Sequence, residues 1–468
     1  MKKDFLVRIH SIEIKGFKNT RSGMIEMPFA IGEDCFSTKS EILGIYGQNG
    51  SGKTAIIEAM EFVQKLLMGV SLAEDAVQYI SRETNHCRIV VTFALSIEGR
   101  QSKVEYVVEL KRLGDEICEI SQESLSAAIW NGEKFEKKKM LLNFSSSDEG
   151  TAFTPVFRYK EFVSHNEENK INLRVAKKIA QKEHKSYIFN KESMNVFLSA
   201  AEETTADYTY ILRALNRYAC INLFVISNVY AGSISMDFLI PFTFRLNMGE
   251  KIVKGDLPIR LDGPSLLDMT RFNMARQIIS EMNIVLHTLI PGLSVGMHDF
   301  GEQLLENGEI GHRIQLISKR GEVSIPLKYE SEGILKIISI LSALICVFNN
   351  PSMCLIIDEL DAGVYEYLLG ELLMVFHKSA KGQLIFTSHN LRALEMLHKT
   401  SIVFSTTNPH KRYMRMQHVK TNNNLRDLYL RSITLGGEQE SVYDETDTVE
   451  IGRAFRRAGK AMHDGEKN

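Results

Sequence analysis

The sequence predicts an α/β fold: a mixed sheet with an antiparallel β lobe, carrying a large, mainly helical insertion. Three observations predict it. Short apolar strands at 42–46, 353–357 and 384–387 each run into a glycine-rich, acidic or polar turn, as buried parallel strands do. The first of them leads into a helix with apolar residues at 56, 57, 60, 63, 66 and 67, a helical spacing. Four β-type runs between 87 and 145 are separated by turn signals such as EGRQ, LGDE and NGEK, as in an antiparallel meander.

Taken in order, residues 5–14 alternate as a strand, and 42–46 form a short apolar strand before GQNGSGKT and its helix. The meander follows. From about 165 to 290 helix formers dominate and proline is rare, with a break near 230–265 where glycine and proline accumulate. Strand signals return at 311–328, a helix follows at 331–348, and 353–357, 384–387, 401–404 and 412–418 read as strands. The expected domains are 1–160, the first half of the α/β unit with its β lobe; 161–305, the mainly helical insertion; 306–437, the second half of the α/β unit; and 438–468, a charged tail. That tail is acidic and then basic, the composition of a solvated segment or of one that docks on a partner.

With 468 residues, 44% hydrophobic and 24% charged, the chain is neither disordered, collagen-like nor a disulfide miniprotein. A net charge of −2 from 56 basic and 58 acidic residues sets up no global field toward nucleic acid or anionic lipid, so any such contact is local. The cysteines at 35, 87, 118, 220, 346 and 354 include no CxxC pair, which speaks against zinc or a disulfide framework. The N-terminus lacks a signal-peptide core, and the longest apolar run, 337–348, is too short to span a bilayer. The expectation is a soluble, cytoplasmic protein with no membrane partner.

Gly47, Gln48, Asn49, Gly50, Ser51, Gly52, Lys53 and Thr54 fit G-x-x-x-x-G-K-[ST] between a strand and a helix. Backbone N–H groups must converge there on phosphate oxygens, and glycine permits the dihedrals. The helix start adds its positive end. Lys53 should reach the β- and γ-phosphates, and Thr54 should ligate Mg²⁺. The run 354–357 ends in Asp358 and Glu359; the first should hold Mg²⁺ and the second should polarise the attacking water. The run 383–387 ends in Ser388, His389 and Asn390, where a neutral His389 should donate to the γ-phosphate.

In order and spacing these three motifs resemble the ABC-type ATPases. Lys53 and Asp358 lie 305 residues apart, so something large is inserted, and the resemblance is to the SMC, Rad50, RecF and AAA15/OLD-like group. It covers about 5–150 and 310–430 and implies an ABC-type head that binds ATP with Mg²⁺. It implies that Lys18 and Asn19, in the opening IHSIEIKGFKN, lie near the phosphates. It makes the segment 329–336 a degenerate S-x-G-x-x-K signature, whose Ser331 and Gly333 touch the γ-phosphate held by an opposite subunit. It makes Asp361 part of the loop that crosses that interface. It also implies a glutamine between the meander and the helical region; Gln122 is one of several candidates.

What the resemblance implies is a two-state clamp. Two heads close over two ATP·Mg²⁺, and the chain acts as a sensor or regulator of a separate effector, such as a nuclease, in anti-phage defence or DNA maintenance. The alternatives are an OLD-like ATP-dependent nuclease and a RecF-like DNA-binding repair ATPase. Only 79 residues follow His389, short for the Toprim module a nuclease of that kind carries. Residues 170–191 hold seven Lys or Arg against one Glu. On a helix, Leu173, Ala176, Ile179 and Ala180 would face inward and the lysines outward, either as a solvated face or as a DNA contact.

Overall fold

A computed structural model describes residues 5–31, 34–164, 166–199, 206–227, 238–249, 251–416, 425–435, 440–443 and 447–465, with single positions at 232, 234 and 236. The first strands, β1 (Phe5–Phe17) and β2 (Thr20–Glu26), precede a short α1 (Pro28–Ile31), β3 (Glu41–Tyr46) and α2 (Lys53–Leu67). The meander is β4 (His86–Ile97), β5 (Arg100–Arg112), β6 (Cys118–Ile129) and β7 (Lys139–Ser145). With β1 and β2 it forms a six-stranded antiparallel sheet in the order β2-β1-β4-β5-β6-β7.

Four helices follow: α3 (Val156–Val163), α4 (Glu167–Glu183), α5 (Lys191–Ser199) and α6 (Ala206–Arg217). The region 161–305 is less helical than the sequence pattern predicts. Beyond α6 come β8 (Leu223–Ile226), a hairpin of β9 (Leu239–Met248) and β10 (Lys251–Arg260), β11 (Ser265–Asp268), α7 (Met269–Leu289) and β12 (Leu293–Leu304). The prolines in the hairpin obscured it. Pro241 and Pro258 lie opposite each other, and each is tolerated because both strands of a two-stranded sheet are edges. Ile240, Phe242, Phe244 and Leu246 are buried together in one core, and Pro241 and Thr243 between them are buried as well.

After β13 (Ile310–Arg320) and β14 (Val323–Pro326) come α8 (Glu332–Asn349), β15 (Cys354–Ile357), α9 (Glu366–Ser379), β16 (Gln383–Thr387), α10 (Arg392–Met396), β17 (Ile402–Ser405), β18 (Tyr413–Met414), α11 (Leu425–Leu435) and α12 (Thr448–Gly465). Of the run expected as a strand at 412–418, Tyr413 and Met414 form one, and positions 417 and 418 lie outside the described residues.

The central sheet has the order β18-β17-β3-β16-β15-β8. All pairs are parallel except β17 with β18. Its two halves thus come from opposite ends of the chain. A third contribution, β8, comes from inside the expected insertion. Alternation along the strands explains the layering. Leu43, Ile45, Ile356 and Ile385 pack into one core with Ile56, Ile57 and Met60 of α2. Ile42, Leu355, Ile357, Leu384 and Phe386 pack into a second with Leu344 and Val347 of α8 and Leu369 and Leu373 of α9. A parallel sheet covered on both faces buries both parities. The apolar helix α8 is therefore a core element, with 61% of its length buried inside the fold.

The two large sheets are pinned by charge. The Arg8 guanidinium, 1% exposed, pairs with Glu41 at 3.0 Å and donates to the carbonyl oxygens of Ser37 and Lys39. Gln383 completes the knot: its side-chain amide donates to Ile9 O and to Glu41 Oε2, and Ile9 N donates to its carbonyl oxygen. A buried charge persists only when it is paired and hydrogen-bonded in this way.

Candidate active site

At the C-terminal edge of β3 the chain turns through 47–52 into α2. Gly47, Gly50 and Gly52 have φ of 153°, 80° and 87°, values that disfavour any side chain. At Gly47 space forbids one as well, since an added Cβ would lie 2.0 Å from Ser405 Oγ. Neighbouring elements clasp the loop. Ser51 Oγ and Ser405 Oγ share a hydrogen bond of 2.5 Å, the Tyr413 hydroxyl donates to Gly52 O at 2.6 Å, and Asn19 Nδ2 donates to Gly50 O at 2.5 Å. The Lys53 ammonium is buried and donates to Gly47 O at 2.8 Å and Gln48 O at 3.0 Å. Burial pulls its pKa down, and Asp358, Glu359 and Asp361 oppose that shift.

The acids sit two strands away, beyond β16. Asp358 Oδ1 accepts from Thr387 Oγ1 at 2.5 Å, and Glu359 N donates to the same hydroxyl at 2.7 Å. Asp358 Oδ2 is buried and has no partner among the described residues. Such an atom carries a desolvation cost that a cation or water would relieve. Glu359 has φ 49°, a left-handed conformation uncommon for a residue with a side chain. The amide of His389 donates to Asp361 Oδ2 at 2.9 Å, and Asp361 Oδ1 is buried without a partner among the described residues. The pKa of His389 lies below the ordinary value, first through burial and then through Lys53, against the pull of Asp361, Glu359 and Asp358. Lys53, Asp358, Glu359, Asp361 and His389 therefore share one electrostatic neighbourhood.

Hard oxygen donors suit Mg²⁺. Asp358 Oδ2 and the hydroxyl of Thr54, the second residue of α2, are such donors, and the unpartnered Oδ2 shows that the site fits a cation.

Lys18 is engaged elsewhere. Its ammonium pairs with Glu58 at 2.5 Å and lies 4.6 Å from the Tyr79 ring centroid. Ser331 caps α8, its Oγ accepting from Ile334 N at 3.4 Å. Gly333 lies against Gly363, and a Cβ there would come 1.8 Å from Gly363 O. The signature-like segment thus packs on the loop that follows Asp358 and Glu359. The Lys336 ammonium donates to Glu359 O, a contact the sequence pattern did not assign.

Position Ser227 was also missed. Ile226 pairs in register with Ile357, and Asp358 N donates to Ile226 O at 3.0 Å. The chain leaving β8 at Ser227 therefore runs beside the acids, whereas the glutamine the resemblance implies is expected earlier, between the meander and the helical region. Gln122 lies in β6 and bonds Asn143 Oδ1 at 3.0 Å. The short apolar run 223–226 was the available signal. Residues 170–183 of the basic segment lie in α4, with Leu173, Ala176 and Ala180 buried as expected and Ile179 half-buried, while Lys177 turns back onto the carbonyls of Ser145 and Asp148.

Residues 42–225 match the family described as "AAA domain, putative AbiEii toxin, Type IV TA system". No curated protein matches the chain. Among solved structures, the chain is similar to an SMC head domain from Thermotoga maritima (14% identity, 88% of this chain and 99% of that one, TM-score 0.38). It is similar to an SMC head bound to the C-winged helix domain of ScpA (14%, 87% and 97%, TM-score 0.42). A third is an SMC head with an extended coiled coil bound to the C-terminal domain of ScpA, derived from Pyrococcus furiosus (12%, 88% and 96%, TM-score 0.39). A phosphate loop on β3, paired acids two strands away on β15 and the strand of His389 between them give the chain a P-loop α/β fold, and residues 42–225 of it match the AAA-domain family.

Proposed function

We propose that the chain hydrolyses ATP, and that two copies close over two ATP·Mg²⁺ and reopen after hydrolysis. The observation that carries this reading is the convergence of Lys53, Asp358, Glu359 and His389 on one sheet edge, with a carboxylate oxygen on Asp358 that has no partner among the described residues. Lys53 exchanges its two loop carbonyls for phosphate oxygens, and the loop amides and the start of α2 supply further donors. A bound Mg²⁺ neutralises phosphate charge, and Thr54 and Asp358 are the residues to hold it. Glu359 accepts a hydrogen bond from the attacking water, and neutral His389 donates toward the transferring phosphoryl group. Ser331 and the amides that open α8 form an anion site for the triphosphate of a second copy. Asn19 braces the phosphate loop, and Lys18 pairs with Glu58 of α2, the helix that follows the loop. Coupling to a separate effector, in defence or DNA maintenance, extends this reading by analogy of fold.

The test is direct. ATP·Mg²⁺ should yield free phosphate with the wild-type chain and none with Lys53→Ala. Glu359→Gln should retain ATP and elute as a larger species on a sizing column. ATP-loaded E359Q that elutes at its nucleotide-free size refutes the clamp.

A further inference from the structure

The Glu359 backbone is held from three directions. Its N–H donates to Thr387 Oγ1 at 2.7 Å. Its carbonyl accepts from Ala362 N at 3.0 Å and from the Lys336 ammonium. The first two partners belong to the sheet edge and the loop itself. Lys336 alone of the three comes from a helix, α8, whose N-terminal Ser331 and Glu332 are exposed while Gly333 is buried. Gly333 and Lys336 are three residues apart and so share a face of α8. That face touches both ends of the 359–363 loop: Gly333 against Gly363, and Lys336 on Glu359. The helix cannot shift along the loop without moving the ammonium off the carbonyl or driving Gly333 into Gly363.

An ammonium placed this deep is costly unless it is used. Asp361, Glu359 and Asp358 are the charges that favour it. Its hydrogen bond goes to the main chain of Glu359, so it constrains the left-handed φ from which that carboxylate is aimed, while the carboxylate stays free to act.

We propose that Lys336 is a positioning residue that sets the aim of the Glu359 carboxylate and ties it to the seating of the α8 N-terminus, so that an oxyanion bound at Ser331 and Gly333 aligns Glu359 for hydrolysis. This rests on the reading of Glu359 as the residue that polarises the attacking water. The coupling gives each site a way to wait for its counterpart, because hydrolysis follows engagement of α8.

The experiment compares wild type, Lys336→Met and Lys336→Arg, with ATP·Mg²⁺ as the ligand. Three quantities are read: nucleotide affinity, the ATP-dependent size shift in an E359Q background, and the single-turnover hydrolysis rate. K336M should bind ATP within about 3-fold of wild type and still form the larger species, yet hydrolyse about 100-fold more slowly, as misplacement of a reacting group does. K336R should recover to within about 5-fold. If K336M does not fold, Lys336→Gln carries the same comparison. Hydrolysis by K336M at the wild-type rate overturns the role of Lys336 and leaves the ATPase reading standing. Parallel loss of binding, size shift and hydrolysis also overturns it, by showing a structural part only. A wild-type chain that releases no phosphate overturns the underlying reading and this inference together.

Discussion

Thr387 is completely buried, and its single hydroxyl orders both acids, donating to Asp358 and accepting from the amide of Glu359. Thr387→Val keeps the shape and removes both bonds, leaving a buried N–H and a carboxylate oxygen unpaired. Such losses cost about 1–3 kcal/mol each, so urea unfolding should shift by about 2–6 kcal/mol, and phosphate release should fall by more than about 10-fold. His10 tests a different balance. Burial, with Lys103 adding, lowers its pKa to about 4, and neither ring nitrogen has a partner among the described residues. The unfolded chain, with an ordinary value near 6.5, binds the proton first as pH falls. The stability associated with neutral His10 is therefore complete above about pH 6.5 and is lost between 6.5 and 4. Because the side chain is partly exposed, solvent screening reduces the effect to about 1–2 kcal/mol. His10→Phe should flatten the drop in melting temperature between pH 7 and pH 5; an unchanged drop assigns the acid sensitivity to other groups.

Among the elements, α8 is the one whose start matters most. Ser331 caps it, and Gly333 meets a carbonyl where no Cβ fits. Ser331→Ala should cost about 1 kcal/mol, as the loss of a cap does, and should weaken the ATP-dependent size shift of E359Q. Gly333→Ala pushes on the 363 backbone and should cost about 1–3 kcal/mol through overpacking, with hydrolysis reduced more than ATP affinity. Both are read by thermal melting beside the sizing column. The elements legible in sequence were those with strong periodicity: β3, α2, the meander, α8, β15 and β16. The β9–β10 hairpin was not, because Pro241 and Pro258 argue against strands until one sees that both strands are edges.

For the whole molecule, the decisive joint is the Arg8–Glu41–Gln383 knot, which fastens the antiparallel lobe to the central sheet across more than 370 residues of sequence (Ile9 to Gln383). Arg8→Met strands the Glu41 carboxylate, 3% exposed, without its cation. Breaking a buried pair on one side costs about 3–5 kcal/mol, so this variant should show the largest fall in melting temperature of those named here. A double variant, Arg8→Met with Glu41→Gln, should recover part of it. The knot has no local signal: an arginine at 8 and a glutamate at 41 look like surface residues until the fold closes over them.

The sequence by itself determined which residues close the strands at the sheet edge. The glycine spacing of 47–52, the acids ending 354–357 and the polar end of 383–387 are local patterns, each fixed by what a short stretch of backbone must do. Tertiary structure decided what required distant partners. It put β8 at the edge of the central sheet and brought Ser227 alongside Asp358. It turned the Lys18 ammonium toward Glu58, and it laid Lys336 on the carbonyl of Glu359. The physical reason is that periodicity records which face of an element is buried, whereas the identity of the neighbour on that face is set only when elements far apart in the chain compete for the same core.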